Sequence, residues 1–309
     1  MRIVGTNQNL HPPGEVYKRI MITTDELRRT LGRLGIWMPP PSRAGLEPGS
    51  YARQIEAAGF TSVWYPGMNS AADLAAVEPA LAATERLVLG TGIASVWTWP
   101  PAGLAAAAQR LEDLYPGRFV LGLGVSHAPA VEQAGQAYEK PYTKMVRFLD
   151  ELPAAGVPLI LAALGPRMLE LSRDRAAGAH PYFSPPEHTA LARQALGPAP
   201  LLIPEVAVSL TPGDSGAAQA REYAKFYLGL PNYTNNLRRL GYTDADIEDG
   251  GSDRLLSDVV PHGPEASLAR ITAHLDAGAD HVVVQPLGEG GRFAGGDLGA
   301  LAELTAGLR

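Results

Sequence analysis

The chain has no cysteine, so it can build neither a disulfide framework nor a thiolate metal centre. That absence fits a reducing compartment, and a cytoplasmic protein is expected. Basic residues do not dominate: 26 Lys and Arg stand against 32 Asp and Glu, with no basic stripe. A nucleic-acid partner is not expected. No window approaches the roughly 20 apolar residues of a membrane span, so no membrane partner is expected. Residues Met1–Val16 lack the apolar core of a signal peptide. With Asn7, Gln8, Asn9, His11, Pro12 and Pro13 they read as a flexible arm, placed over residues 1–30.

What is present is a chain of 309 residues, 46% hydrophobic, that writes one motif four times. Ala57-Ala58-Gly59, Ala154-Ala155-Gly156, Ala176-Ala177-Gly178 and Asp276-Ala277-Gly278 each lead into a short apolar run. A helix that ends on glycine and feeds a strand is the repeat of a βα protein. Strand candidates are Gly35–Met38, Ser62–Tyr65, Leu87–Ile93, Phe119–Gly124, Leu159–Ala163, Ala179–Phe183, Glu205–Ser209 and His281–Gln285. Most are near-continuous apolar runs, as expected of parallel strands covered on both faces. Between them Met145, Phe148, Leu149 and Leu152 repeat with helical spacing, and Ala71–Thr84 and Ala102–Leu114 are rich in helix-favouring alanine. A (β/α)8 barrel over 31–309 is the leading fold, with a doubly wound open sheet as the alternative. Thr211–Pro261 exceeds a single crossover and reads as an insertion on the active-site face, a substrate lid or pocket wall, or else an exposed helical elaboration.

In a barrel, chemistry sits at the C-terminal ends of strands. Those ends here are poor in acids and bases and rich in aromatic, apolar and glycine residues. Neither paired carboxylates for glycoside hydrolysis nor a His/Asp/Glu metal cluster is found, and no metal is expected. Such a mouth suits a planar organic cofactor. His127 directly follows the fourth strand. It reads as a hydrogen-bond partner or proton donor, or as a loop histidine satisfied by backbone. His180 lies in or near the sixth strand and could be structural or functional. Trp37, Tyr65, Trp97 and Trp99 are candidates to line a cavity, or to pack in the core. Asn232 and Tyr233 are candidate polar contacts from the insertion.

Five segments then show a resemblance. They are Gly59-Phe60-Thr61-Ser62-Val63-Trp64, Ala83–Ile93, Pro116–Gly124, Ala162–Leu169 and Asp276–Val282. Together the chain resembles the luciferase-like oxidoreductase superfamily, in particular its actinobacterial branch that uses the deazaflavin coenzyme F420. The resemblance implies a cis peptide bulge at Gly92, Ile93 and Ala94 behind the cofactor ring. It also implies a phosphate cradle at Ala163, Leu164, Gly165, Pro166 and Arg167, where free helix N–H groups meet an arginine. Ser126 and His127 fall beside the ring, and His127, Trp37 and Tyr65 are the candidate catalytic groups. Trp97, Trp99, Asn232 and Tyr233 are the candidate substrate contacts. F420-dependent dehydrogenases of the family carry an acid–histidine pair after the second strand. Gly67 and Met68 stand there, which turns the expectation from alcohol oxidation toward reduction of a C=C or C=N bond. FMN is the alternative cofactor, in a monooxygenase or reductase of the same scaffold, and a catalytically silent flavin-binding barrel is the other alternative. A small-molecule substrate and a homodimer through the alanine-rich helices are expected.

Overall fold

The computed structural model describes residues 22–40, 47–289 and 297–309. The expected arm falls mostly on residues 1–21, outside the described residues. Ten short strands form one parallel sheet: β1 (Leu34–Trp37), β2 (Ser62–Tyr65), β3 (Val88–Thr91), β4 (Ala94–Ser95), β5 (Phe119–Gly124), β6 (Leu159–Leu161), β7 (Gly178–Ala179), β8 (Leu201–Leu202), β9 (Glu205–Ser209) and β10 (Val282–Leu287). Two pairs are halves of single strands. β3 and β4 are separated only by Gly92-Ile93, whose peptide bond is cis, as the resemblance implied. β8 and β9 are separated only by Ile203-Pro204.

The pairing path runs β8-β7-β6-β5-β3-β2-β1-β10-β9. Its two ends are thus pieces of one stretch, and a bridge between Tyr182 and Glu205 joins them further. The ring closes on itself as the eight-stranded α/β barrel expected from the sequence. Helices follow each strand on the outside, among them Pro48–Ala57, Pro101–Leu114, Pro141–Glu151, Pro166–Arg175 and Pro186–Leu196.

Side chains alternate along each strand, so every second residue enters the barrel. Trp64, Val88, Val120, Ile160, Leu201, Ile203 and Val283 form the packed interior. Glycine at 90 makes room for the indole, because a Cβ there would lie 2.4 Å from the Trp64 ring. Trp64 stacks on His180 with ring centroids 5.1 Å apart. Its Nε1 donates to Ser62 Oγ at 2.9 Å, and that hydroxyl meets His281 Nε2 at 2.8 Å.

One part of the expected arm is not an arm. Thr24–Leu31 is a helix with a Thr23–Glu26 capping box, and its Leu27 and Leu31 enter the interior cluster beneath Trp64. Arg28 Nε donates to Asp280 Oδ1 at 2.9 Å and fixes the helix across the N-terminal end of the barrel. Thr211–Pro261 folds as the helices Gly213–Leu228, Pro231–Arg239, Asp244–Ile247 and Asp253–Val259. They share a second core with Ala207 and Leu287 of the barrel.

Leu31 is fully buried in that interior plug. Leu31→Ala is expected to cost about 2–5 kcal/mol in urea unfolding, as for other cavity-forming truncations. An unchanged midpoint would show that the helix is not part of the core.

Candidate active site

A cavity of about 680 Å³ opens above the filled half of the barrel. Its floor and walls come from strand ends: Trp37 at the end of β1, Gly92-Ile93 between β3 and β4, Ser126 and His127 after β5, Ala162–Arg167 after β6, and His180 and Tyr182 after β7. The insertion closes the remaining side with Phe226, Tyr227, Asn232, Tyr233 and Arg239. It is therefore a wall of the cavity rather than an outlying elaboration.

The structure brings His127, Asn232 and Tyr233 together. The imidazole lies 5.4 Å from the Tyr233 ring and bonds the Asn232 side chain. Burial pushes His127 below its ordinary range, partly opposed by that bond. Its Nδ1 is buried without a partner. Ser126 beside it holds φ at 54°, a left-handed conformation that is uncommon outside glycine.

Leu164-Gly165 enters the helix Pro166–Arg175, which no side chain caps. His188 donates from Nε2 to the Leu164 carbonyl at 2.8 Å and anchors this turn from behind. Arg167 lies over the Tyr142 ring at 4.0 Å. Arg239 reaches in from the insertion, and its Nη2 would be 3.7 Å from a Cβ placed on Gly165. Asn236 Oδ1 accepts from Arg239 at 3.0 Å and orients it. Two guanidinium groups thus flank an open helix N-terminus, an arrangement suited to an anion such as a phosphate. Gly124 is needed because a Cβ there would meet Ile93 Cγ1 at 2.6 Å.

Four expected residues lie elsewhere. Tyr65 is fully buried in the outer core between strands and helices, where the alternation along β2 directs it away from the barrel interior. Ala94 is buried in the same core, paired with Leu123. Trp97 donates to the Val125 carbonyl at 2.7 Å and stands behind Tyr138, with ring centroids 5.5 Å apart. Trp99 donates to the Met68 carbonyl at 2.7 Å and is buried. Trp37 lines the cavity, and its Nε1 is buried with no acceptor.

Sequence reasoning missed Glu205, Tyr138, Tyr142, Tyr182, Phe226, Tyr227 and Arg239. Glu205 carries a legible signal: it is the one charged residue within any described strand. A search confined to strand ends passes over it, since the break at Ile203-Pro204 sets it mid-way along a long strand. Its side chain is 3% exposed and lies 3.8 Å from His180 Nε2 through Oε2, while Oε1 has no partner. Burial holds the carboxyl well above the usual carboxylate range and pushes His180 down to about 4.

Residues 33–152 match the Luciferase-like monooxygenase family. The 5,10-methylenetetrahydromethanopterin reductase of Methanolobus tindarius is 27% identical over 164 residues, covering 45% of this chain and 50% of that protein. A Mycobacterium tuberculosis protein provisionally named a coenzyme F420-dependent oxidoreductase is 27% identical over 199 residues, 50% of this chain and 55% of its own. The matches thus span about half the length of these curated relatives. The coenzyme F420-dependent tetrahydromethanopterin reductase of Methanopyrus kandleri shares the fold with a TM-score of 0.70 at 17% identity, covering 90% of this chain and 98% of that one. The fold is that of the luciferase-like barrels, and the sequence matches are to a luciferase-like segment over residues 33–152 and to relatives whose names include an F420-dependent oxidoreductase.

The buried histidines set a pH dependence. His180 and His281 are pushed to about 4 and His274 to about 3 by burial, from 6.5. Between those values the unfolded chain binds more protons, so stability rises with pH, by at most about 1.4 kcal/mol per unit for each histidine. Glu205 acts in the opposite sense above 4.5, because its folded form keeps a proton that the unfolded form loses. The histidines outnumber it. The urea midpoint is expected to fall as pH drops from 6.5 toward 4.5, and a flat profile would contradict the burial of neutral imidazoles.

Proposed function

We propose that this chain is a coenzyme F420-dependent oxidoreductase that moves a hydride between the deazaflavin and a small organic substrate, in the direction that reduces a C=C or C=N bond. The observation that carries the reading is the pairing, in one cavity, of an open helix N-terminus flanked by Arg167 and Arg239 with a glycine-lined floor at Gly92-Ile93. Among the described residues neither guanidinium has a carboxylate partner within ion-pair distance. Trp37, His127, Tyr182 and Glu205 line the same cavity, and each carries a buried polar atom without a partner. A polar ring with a phosphate tail fits that donor set.

Leu164-Gly165, Arg167 and Arg239 would hold the phosphate, and Gly92-Ile93 would back the ring. When bound, the deazaflavin supplies a carbon that gives or takes hydride. The protein's part is to seat the substrate against that ring, exclude water with the aromatic wall of the insertion, and supply a proton. The relatives' names support the same cofactor. The reductive direction follows from Gly67 and Met68, which offer no base after β2; Met68 is fully buried. A homodimer through the helices that include Pro101–Leu114, in the cytoplasm, completes the reading.

Titration followed by F420 fluorescence tests it. Quenching is expected with F420 and not with an equal concentration of FMN. Arg167→Ala and Arg239→Ala should each weaken F420 binding about tenfold, the worth of one charged hydrogen bond. Tight FMN binding with no response to F420 would overturn the assignment.

A further inference from the structure

The acid–histidine pair that is missing after β2 has a counterpart elsewhere. Glu205 opens β9 and His180 follows β7, and the two face each other inside the barrel at 3.8 Å. His180 Nδ1 lies 2.7 Å from the Ile203 carbonyl. A carbonyl only accepts, so Nδ1 carries the hydrogen and Nε2, the nitrogen toward Glu205, presents a lone pair. No Lys or Arg pairs with Glu205; His180 is its one ion-pair neighbour among the described residues. The other titratable groups against it are Tyr182, bridged to it in the sheet, and Tyr227 and Tyr233 of the insertion. None of them brings a cation.

A carboxylate at this depth with no cation and one unpartnered oxygen would be strongly disfavoured. The group is held as an acid, in a residue that lines a cavity of about 680 Å³. Trp37 Nε1, another donor without an acceptor, stands on the same floor. It and His180 Nε2 flank Gly92, at 3.3 and 3.5 Å from where its Cβ would be. Burial pushes the Tyr227 and Tyr233 phenols upward, so they keep their protons, and pushes the His127 imidazole downward. Among the described residues that line the cavity, Glu205 carries the only carboxyl.

Resting on the hydride chemistry proposed above, the geometry points to Glu205 as the acid that protonates the substrate atom on which the displaced electron pair collects, the imine nitrogen or the enone oxygen. The substrate class is then an imine or an α,β-unsaturated carbonyl whose acceptor atom sits between Glu205 and Trp37 Nε1. The electrophilic carbon of the C=N or C=C bond takes a hydride, with both electrons of the new C–H bond, from the reduced deazaflavin, which is oxidised. The π pair moves to the nitrogen or, in the enone, into the conjugated carbonyl system. The Glu205 O–H bond breaks and its proton completes the N–H bond or the enol, which tautomerises to the saturated ketone. The carboxylate that remains recovers a proton from water when product leaves.

Two measurements test this. In the cofactor-free protein with isotopically labelled glutamate, infrared spectroscopy at neutral pH should show a protonated-carboxyl carbonyl stretch that Glu205→Gln removes. In assays with reduced F420 and 2-cyclohexenone or a cyclic imine, Glu205→Gln should lower kcat by about 10²–10⁴-fold. Glu205→Asp, which keeps an acid, should recover part of the rate. Absence of the infrared band, or an unchanged kcat in Glu205→Gln, would overturn the assignment while leaving F420 binding intact. Failure of the wild-type protein to quench F420 fluorescence would instead remove the hydride reading itself. Where neither probe turns over, the infrared band alone decides, and it does not depend on Glu205→Gln remaining active.

Discussion

The stack of Trp64 on His180 divides the barrel into two halves, and the rest of the site depends on that division. Below it, the indole, the branched residues of alternate strands and the helix Thr24–Leu31 fill the interior. Above it, the layer that would continue the core holds glycine at 92 and 124 and alanine at 162, and a cavity opens. His180 belongs to both halves. One face of its ring is covered by tryptophan, Nδ1 is fixed by the Ile203 carbonyl, and Nε2 looks toward Glu205. A small residue at position 90 makes this possible, since any Cβ would strike the Trp64 ring.

The upper half is completed from a distance in sequence. The insertion after β9 builds its own core against Ala207 and Leu287 and from that base turns Tyr227, Tyr233 and Arg239 into the cavity. The polar contact between Asn232 and His127 links the insertion to the end of β5. Asn236 plays the same part for Arg239, holding it toward the Leu164-Gly165 turn. The arginine-lined end of the cavity is therefore assembled jointly by a barrel turn and by an element outside the barrel.

Much of this was legible in the sequence, and the reason is periodicity. Continuous apolar runs separated by helix–glycine turns specify parallel strands, and their number put the barrel ahead of a doubly wound open sheet. Local motifs were equally readable: Gly165-Pro166 as a helix start and His127 at a strand end both line the cavity. The sidedness of single residues was harder to read. Tyr65 and Trp64 are neighbours in β2, yet one points into the outer core and the other into the barrel, a parity that proximity to a strand end does not reveal. Trp97 and Trp99 have their indole N–H groups satisfied by carbonyls brought close only by folding. Thr24–Leu31 was absorbed into the expected arm because its two buried leucines are few for a core helix; it is held by a capping box and by Asp280, far away in the chain. Arg239 and Glu205 become site residues through tertiary placement, although a lone acid inside an apolar strand was visible as an anomaly.

The shared claim is that one cavity holds a phosphate at its arginine end and a redox ring above His180 and Gly92. A crystal structure of the protein with F420 tests this most directly. The phosphate is expected against Gly165, Arg167 and Arg239, with the deazaflavin ring backed by Gly92-Ile93 and open toward Glu205. A ring seated outside the cavity, or a phosphate held away from both arginines, would contradict it.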